Sequence, residues 1–218
     1  YEVAYAQFTI DAKSTKVAHT LNGKNVQIKK QSHYYVVSGK DFRFKLNLDT
    51  GLLESYYYKD QLLMKEGPKP NISRAKLDND SSHFKDMMSY LTLDGEPTVG
   101  KSTDGNYMLT TKWNSSYLLD SKTKTPGTIE MSYLIEDTGA VTVRMKLDFT
   151  KTKVKKFIKV GTRLSLAKGT ENVSWYGNGD DESYCDRQTY TRVGAYTSTV
   201  NKMFYPFARP QDCGNLTG

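Results

Sequence analysis

Cysteine and histidine are scarce in these 218 residues, two of the first and three of the second, and that scarcity closes several routes to chemistry. Cys185 and Cys213 have neither a C-x-x-C spacing nor a histidine pattern that would hold zinc, so buried free thiols are expected ahead of a disulfide. His19, His33 and His83 accompany no G-x-S-x-G nucleophile motif, and a triad has no support. A glycine-rich phosphate loop is missing as well. Apolar runs are short: Tyr34 to Val37 is typical, against the roughly 18 residues that a membrane-spanning helix requires. The first residues lack the charged, apolar and small-residue regions of a secretion signal. They read YEVAYAQFTI, a strand-like beginning, and a chain that opens in mid-strand is expected to be a piece of a larger protein. Neither an internal repeat nor a low-complexity tract is present.

The chain carries a net charge of +7, which favours anionic partners only where the cations gather on one face. The lysines are spread instead, and only Lys151 to Lys159 (KTKVKKFIK) is dense. Val154, Phe157 and Ile158 within that run suggest a strand edge kept in solution by its lysines, and neither nucleic acid nor a membrane is expected as partner. The N-x-S/T matches at Asn71, Asn79, Asn114, Asn172 and Asn215 matter only in a glycosylating host.

What the sequence does contain is strand periodicity. Phe42, Phe44, Leu46 and Leu48 alternate with Arg43, Lys45, Asn47 and Asp49, and Asp49-Thr50-Gly51 turns the chain into Leu53 to Tyr58. Ile129, Met131, Tyr133 and Ile135 lead through Asp137-Thr138-Gly139 into Val141, Val143, Met145, Leu147 and Phe149, which should share one buried face. The pattern continues from Lys156 to Leu166. Successive hairpins of this kind predict an all-β, antiparallel β-sandwich. One short helix is predicted near Phe84 to Leu91, where Phe84, Met87, Met88 and Leu91 fall at helical spacing after the capping oxygens of Asp80-Ser81-Ser82 and before Gly95. Lys13 to Lys30 is polar, contains Asn22-Gly23, and reads as a linker.

Glycoside hydrolysis by acid–base chemistry needs two carboxylates about 5 to 9.5 Å apart. Asp78 with Asp80 and Glu182 with Asp186 are the candidate pairs, but loop carboxylates at such spacing commonly form turns and ion pairs.

Two stretches are far more specific. Asn71-Ile72-Ser73-Arg74-Ala75-Lys76-Leu77-Asp78-Asn79-Asp80 contains R-A-x-L-D-N-D and follows a hairpin of the form F-x-x-D-x-x-T/S-G-x-L. Val173 to Arg187 reads VSWYGNGDDESYCDR, and Val193-Gly194, Tyr196, Ser198-Thr199-Val200, Met203, Tyr205-Pro206-Phe207 and Arg209-Pro210-Gln211-Asp212 follow. In this order the segments resemble the C-terminal domain of glycoside hydrolase family 2 β-galactosidases, with its W-Y-G-x-G-P-x-E-x-Y-x-D-R signature and P-Q-E-N-G continuation. Glu2-Val3-Ala4-Tyr5-Ala6-Gln7-Phe8 resembles the closing strand of the immunoglobulin-like domain before it. Gly179-Asp180 stands where the family usually has Gly-Pro, and Cys185 and Cys213 also depart from it.

The resemblance implies a division into residues 1–30, the last linker-domain strand plus linker, and residues 31–218, the first half of a galactose-mutarotase-like supersandwich. It implies retaining cleavage of terminal β-D-galactosides by two glutamates on a barrel outside this chain, with Mg and Na commonly bound in that barrel and no cofactor here. It further implies a barrel partner, galactoside as substrate of the whole enzyme, homo-oligomers, and a bacterial cytoplasm or periplasm as the setting. Asp78, Asn79, Asp80, Ser81, Ser82 and His83 become candidate substrate or lid residues, the first three read in the first place as structural, with Ser81 to Lys85 making a reduced lid and Arg74 paired to a carboxylate there. Arg74, Trp175, Tyr176, Glu182, Tyr184, Asp186 and Arg187 become structural, substrate contact being the other reading of the polar ones. Two other roles stay open: a carbohydrate-binding module, for which Tyr56-Tyr57-Tyr58 is the candidate platform, and a subunit interface.

Overall fold

The computed structural model describes residues 5–8, 10, 25–75, 77, 80, 86–117, 122, 124–209 and 211–217. The chain divides into two compact units, one of residues 20–74 and 83–167, the other of residues 1–19, 75–82 and 168–218. Among the described residues the regular secondary structure is antiparallel strand apart from one four-residue 3-10 turn, and no helix is long and apolar enough to cross a membrane.

The larger unit is a sandwich. Its first sheet is built from β1 (Gln27–Gln31), β2 (Tyr34–Ser38), β3 (Phe42–Asn47), β4 (Leu53–Tyr58), β5 (Gln61–Asn71) and β11 (Gly161–Leu166), in the order β1-β2-β3-β4-β5-β11. The second holds β6 (Leu91–Leu93), β8 (Tyr107–Ser115), β9 (Gly127–Ile135) and β10 (Val141–Asp148) in the order β10-β9-β8-β6, with β7 (Thr98–Lys101) also paired to β8. The period-2 pattern explains the layers. Phe42, Phe44 and Leu46 are buried while Arg43 and Lys45 are exposed, and Ile129, Met131, Tyr133 and Ile135 are all fully buried. These two inner faces join in one core, into which Val141, Val143, Met145 and Leu147 pack half-buried from the edge strand. Polar bonds also join the sheets: the Tyr133 hydroxyl donates to the Pro68 carbonyl at 2.9 Å, and the Trp113 indole N–H to the Thr50 carbonyl at 3.3 Å. Burial pushes the ionisation of Tyr133 far upward, keeping it a neutral donor.

Several expectations are corrected. Gln27 to Lys30 is not linker but part of β1, paired with β2 from Gln27↔Ser38 to Gln31↔Tyr34; residues 13–24 lie outside the described ones. The helix near Phe84 to Leu91 is a four-residue 3-10 turn, Met87–Tyr90. Its cap is Asp86, whose carboxylate accepts the Met88 N–H at 2.9 Å, and Leu91 already opens β6 opposite Ser115; Ser81, Ser82 and Phe84 lie outside the described residues. Burial of Met87 in the core satisfies the apolar spacing without a long helix. The lysine-rich run is not a strand edge either. Thr150 and Thr152 wind it into turns, Thr150 donating to Asp148 Oδ1 at 2.7 Å and Thr152 to the Phe149 carbonyl at 2.8 Å, while Val154 and Phe157 pack against the core. Regular pairing resumes only at Gly161, and it resumes in the other sheet, against β5.

Thr111 is 1% exposed in the centre of β8, and its hydroxyl has no hydrogen-bond partner among the described residues. A buried hydroxyl without a partner costs its desolvation, about 1–3 kcal/mol. Thr111→Val keeps the shape and removes that cost, so unfolding in urea is expected at higher concentration, by about 1 kcal/mol in stability. An unchanged or lower midpoint would show that the hydroxyl is satisfied in solution.

Candidate functional site

The smaller unit holds the second conspicuous motif on a two-stranded ribbon, β12 (Asn172–Gly179) and β13 (Arg192–Thr199), paired from Asn172↔Thr199 to Gly179↔Arg192. Trp175 and Tyr196 sit opposite each other, their rings stacked with centroids 5.5 Å apart. The stack depends on two glycines: a Cβ on Gly179 would lie 2.6 Å from the Tyr196 ring, and one on Gly194 3.1 Å from it. The Trp175 indole N–H donates to the Asn178 carbonyl at 3.0 Å. Tyr176 points to the opposite face and is 80% exposed. Along β13, the Gln7 amide imitates a strand partner, donating to the Val193 carbonyl and accepting the Val193 N–H, both at 2.8 Å. The Tyr5 ring lies beneath the Arg192 guanidinium at 3.9 Å.

Between the strands, Glu182 organises the loop. One carboxylate oxygen pairs with the Arg187 guanidinium; the other accepts the Gly214 N–H at 2.9 Å. Its backbone carbonyl accepts the Tyr190 hydroxyl. The next residue, Ser183, is fully buried and zips the chain end alongside: its N–H donates to the Asn215 carbonyl at 2.7 Å, the Asn215 side chain donates back to its carbonyl at 2.7 Å, and its Oγ accepts the Thr217 N–H at 2.8 Å. Tyr184 and Arg187 close a tight bridge, with the guanidinium 5.3 Å from the ring. Burial, together with the nearby charges of Glu182 and Asp212, pushes Tyr184 up to about 12, so it stays protonated at neutral pH.

Of these groups Trp175, Glu182, Arg187, Tyr190 and Gly214 line a groove of about 380 Å³. The stretch after β13 also lines it, with Phe204 and Tyr205 66% and 60% exposed and Tyr205 tilted against Phe207 at 4.6 Å. Asp180, Asp181 and Lys202, all exposed, lie on its lining as well. Thus Trp175, Glu182 and Arg187 of the motif meet at one groove, while Asp186 is exposed and absent from its lining. Phe204 and Gly214, both on the groove, carry no local signal that would single them out; the aromatic-Pro-aromatic run Tyr205-Pro206-Phe207 is the nearest thing to one.

The first motif is only partly described. Asp80 is half-buried and its carboxylate accepts the Leu77 N–H at 2.6 Å, closing a local turn. Arg74 is half-buried; Asp78, Asn79, Ser81, Ser82 and His83 lie outside the described residues, as does the expected reduced lid. The candidate aromatic platform is divided between faces, since Tyr56 stacks on Phe44 at 5.8 Å inside the core and Tyr57 lies beneath Arg43 at 4.2 Å. Both thiols are free, but the burial expected of them is not found: Cys185 is exposed, next to the Tyr184–Arg187 bridge, and Cys213 is half-buried. Among the described residues no three His, Cys, Asp or Glu side chains gather as a metal site.

Comparison with known proteins adds the family level. The family model described as beta galactosidase small chain matches residues 38–218. A beta-galactosidase of Priestia megaterium is 26% identical over 223 residues, covering 100% of this chain and 21% of that protein. One of Streptococcus thermophilus is 28% identical over 193 residues, covering 84% of this chain and 18% of that protein, and one of Clostridium acetobutylicum is 25% identical over 202 residues, covering 91% and 22%. The chain therefore spans about a fifth of the length of these relatives.

Proposed function

Because the chain belongs to the beta-galactosidase small-chain family, we propose that it is the non-catalytic β-sandwich portion of a β-galactosidase, supporting a catalytic barrel formed by the rest of the parent enzyme. The observation that carries this reading is the state of Glu182. A general acid or nucleophile needs a carboxylate face open to substrate, whereas both oxygens of Glu182 are engaged within the fold, by Arg187 and by the Gly214 N–H. Asp80, of the other candidate pair, spends an oxygen on the Leu77 N–H. In this reading the two glutamates that cleave terminal β-galactosides with retention, and the Mg and Na of the family, reside in the barrel. On the same reading Asp78, Asn79, Asp80, Ser81, Ser82 and His83 serve the full-length enzyme as substrate or lid residues.

The test is an assay with a chromogenic β-galactoside. The purified chain alone is expected to release no chromophore. Mixed with a parent β-galactosidase lacking the corresponding region, it is expected to bind and to raise activity. Hydrolysis by the chain alone, persisting in material from a host without its own β-galactosidase, would refute the non-catalytic assignment.

A further inference from the structure

We propose that the groove bounded by Trp175, Tyr190, Phe204 and Tyr205 is the seat into which an apolar segment of the remaining β-galactosidase polypeptide docks. The inference rests on the supporting role proposed above and names its surface.

Three observations lead there. First, Phe204, Tyr205 and Tyr190 line one groove and are 66%, 60% and 48% exposed, so three large aromatic side chains gather on one surface. Second, the walls are fixed in place by bonds made within the unit. The Trp175 indole is held by Asn178, the Tyr190 hydroxyl by the Glu182 carbonyl, and the Glu182 carboxylate by Arg187 and Gly214. The Trp175 indole, the Tyr190 hydroxyl and the Glu182 carboxylate are thereby engaged within the unit. What the groove presents is a group of aromatic side chains with the exposed charges of Asp180, Asp181 and Lys202 on the same lining, and aromatic anchors accompanied by charged groups are what a protein interface uses. Third, the occupant is available in the right quantity. The chain covers 18% to 22% of its relatives, so about four-fifths of such an enzyme lies outside it, and the matching family is by description a small chain.

The opposite face of the same ribbon supplies an internal control. Tyr176 is the most exposed tyrosine of the ribbon, at 80%, and lies away from the groove. The experiment measures binding of the full chain to parent β-galactosidase lacking the corresponding region, by calorimetry, for the unaltered chain, the double variant Phe204→Ser with Tyr205→Ser, and Tyr176→Ser. Both groove residues are exposed, so the double variant is expected to keep its circular dichroism spectrum. Its affinity is expected to fall about a hundredfold, the effect of removing two anchor aromatics, while Tyr176→Ser binds like the unaltered chain. Equal binding by all three chains would overturn the groove assignment and leave the supporting role intact. No binding by the unaltered chain would overturn both. Saturable binding of lactose to the chain alone, abolished in the double variant, would make the groove a sugar site and overturn the docking assignment.

Discussion

Gly51→Ala is expected to cost the sandwich about 2–5 kcal/mol, combining backbone strain with an overpacked core. Gly51 sits in the left-handed region at φ 72°, in the turn joining β3 to β4, where its N–H donates to the Asn47 carbonyl at 2.9 Å. An L-residue pays for that conformation wherever it occurs, and here space is lacking too. A Cβ would stand 2.3 Å from Thr111 Cγ2, 2.7 Å from Leu93 Cδ1 and 3.1 Å from the Trp113 ring. All three belong to the second sheet, so relief would require its side chains to shift at the place where the Trp113 indole bonds Thr50. The measurement is the urea midpoint, with Gly105→Ala as comparison: Gly105 also has positive φ, at 81°, but nothing lies within 4 Å of its missing Cβ. If strain alone acts, the two variants lose the same stability. A loss at Gly51 exceeding that at Gly105 by about 1–3 kcal/mol is the contribution of packing.

That comparison shows where sequence reading succeeds and where it stops. Asp49-Thr50-Gly51 announces a turn because turn chemistry is local, and the alternation of Phe42, Phe44 and Leu46 announces a buried face because side chains alternate with every residue. That the turn is pressed against Thr111 and Trp113 depends on how two sheets meet, which no spacing within one strand records. The same limit misplaced the run from Lys156 to Leu166. Pairing begins only at Gly161, in the other sheet and through two register shifts, and the expected buried face is not formed there: Leu164 and Leu166 are about half exposed. At Met87 the error is one of kind. Apolar residues three and four apart fit a helix, yet a single 3-10 turn seats Met87 in the core equally well before Leu91 enters its strand. In the groove, the W-Y-G motif identifies Trp175 and Glu182 by pattern, but nothing in their spacing connects Glu182 to Gly214, 32 positions later.

Glu182→Ala is expected to release that connection and with it the loop between β12 and β13. The carboxylate joins Arg187, on the loop, to the backbone at Gly214, and it is only 18% exposed, so water replaces its bonds poorly. Removing it leaves the Gly214 N–H without its acceptor and Arg187 without its partner. Hydrogen bonds to a charged group contribute about 1.5–3 kcal/mol, and the half-exposed guanidinium recovers part of its loss from solvent, so about 2–3 kcal/mol of local stability should disappear. The sandwich shares no residue with this loop, so the effect should appear as local opening. Amide exchange at Gly214, Asn215 and Ser183 is expected to quicken by about thirtyfold to a hundredfold, while amides of β8 and β9 exchange as before. Glu182→Gln separates the two bonds: the amide oxygen still accepts the Gly214 N–H, so exchange there should rise by about tenfold or less, although the pairing with Arg187 is weakened. Equal acceleration in both variants would show that the ion pair, not the bond to Gly214, holds the chain end in place, and unchanged exchange in Glu182→Ala would show that the Ser183, Asn215 and Thr217 bonds suffice without it.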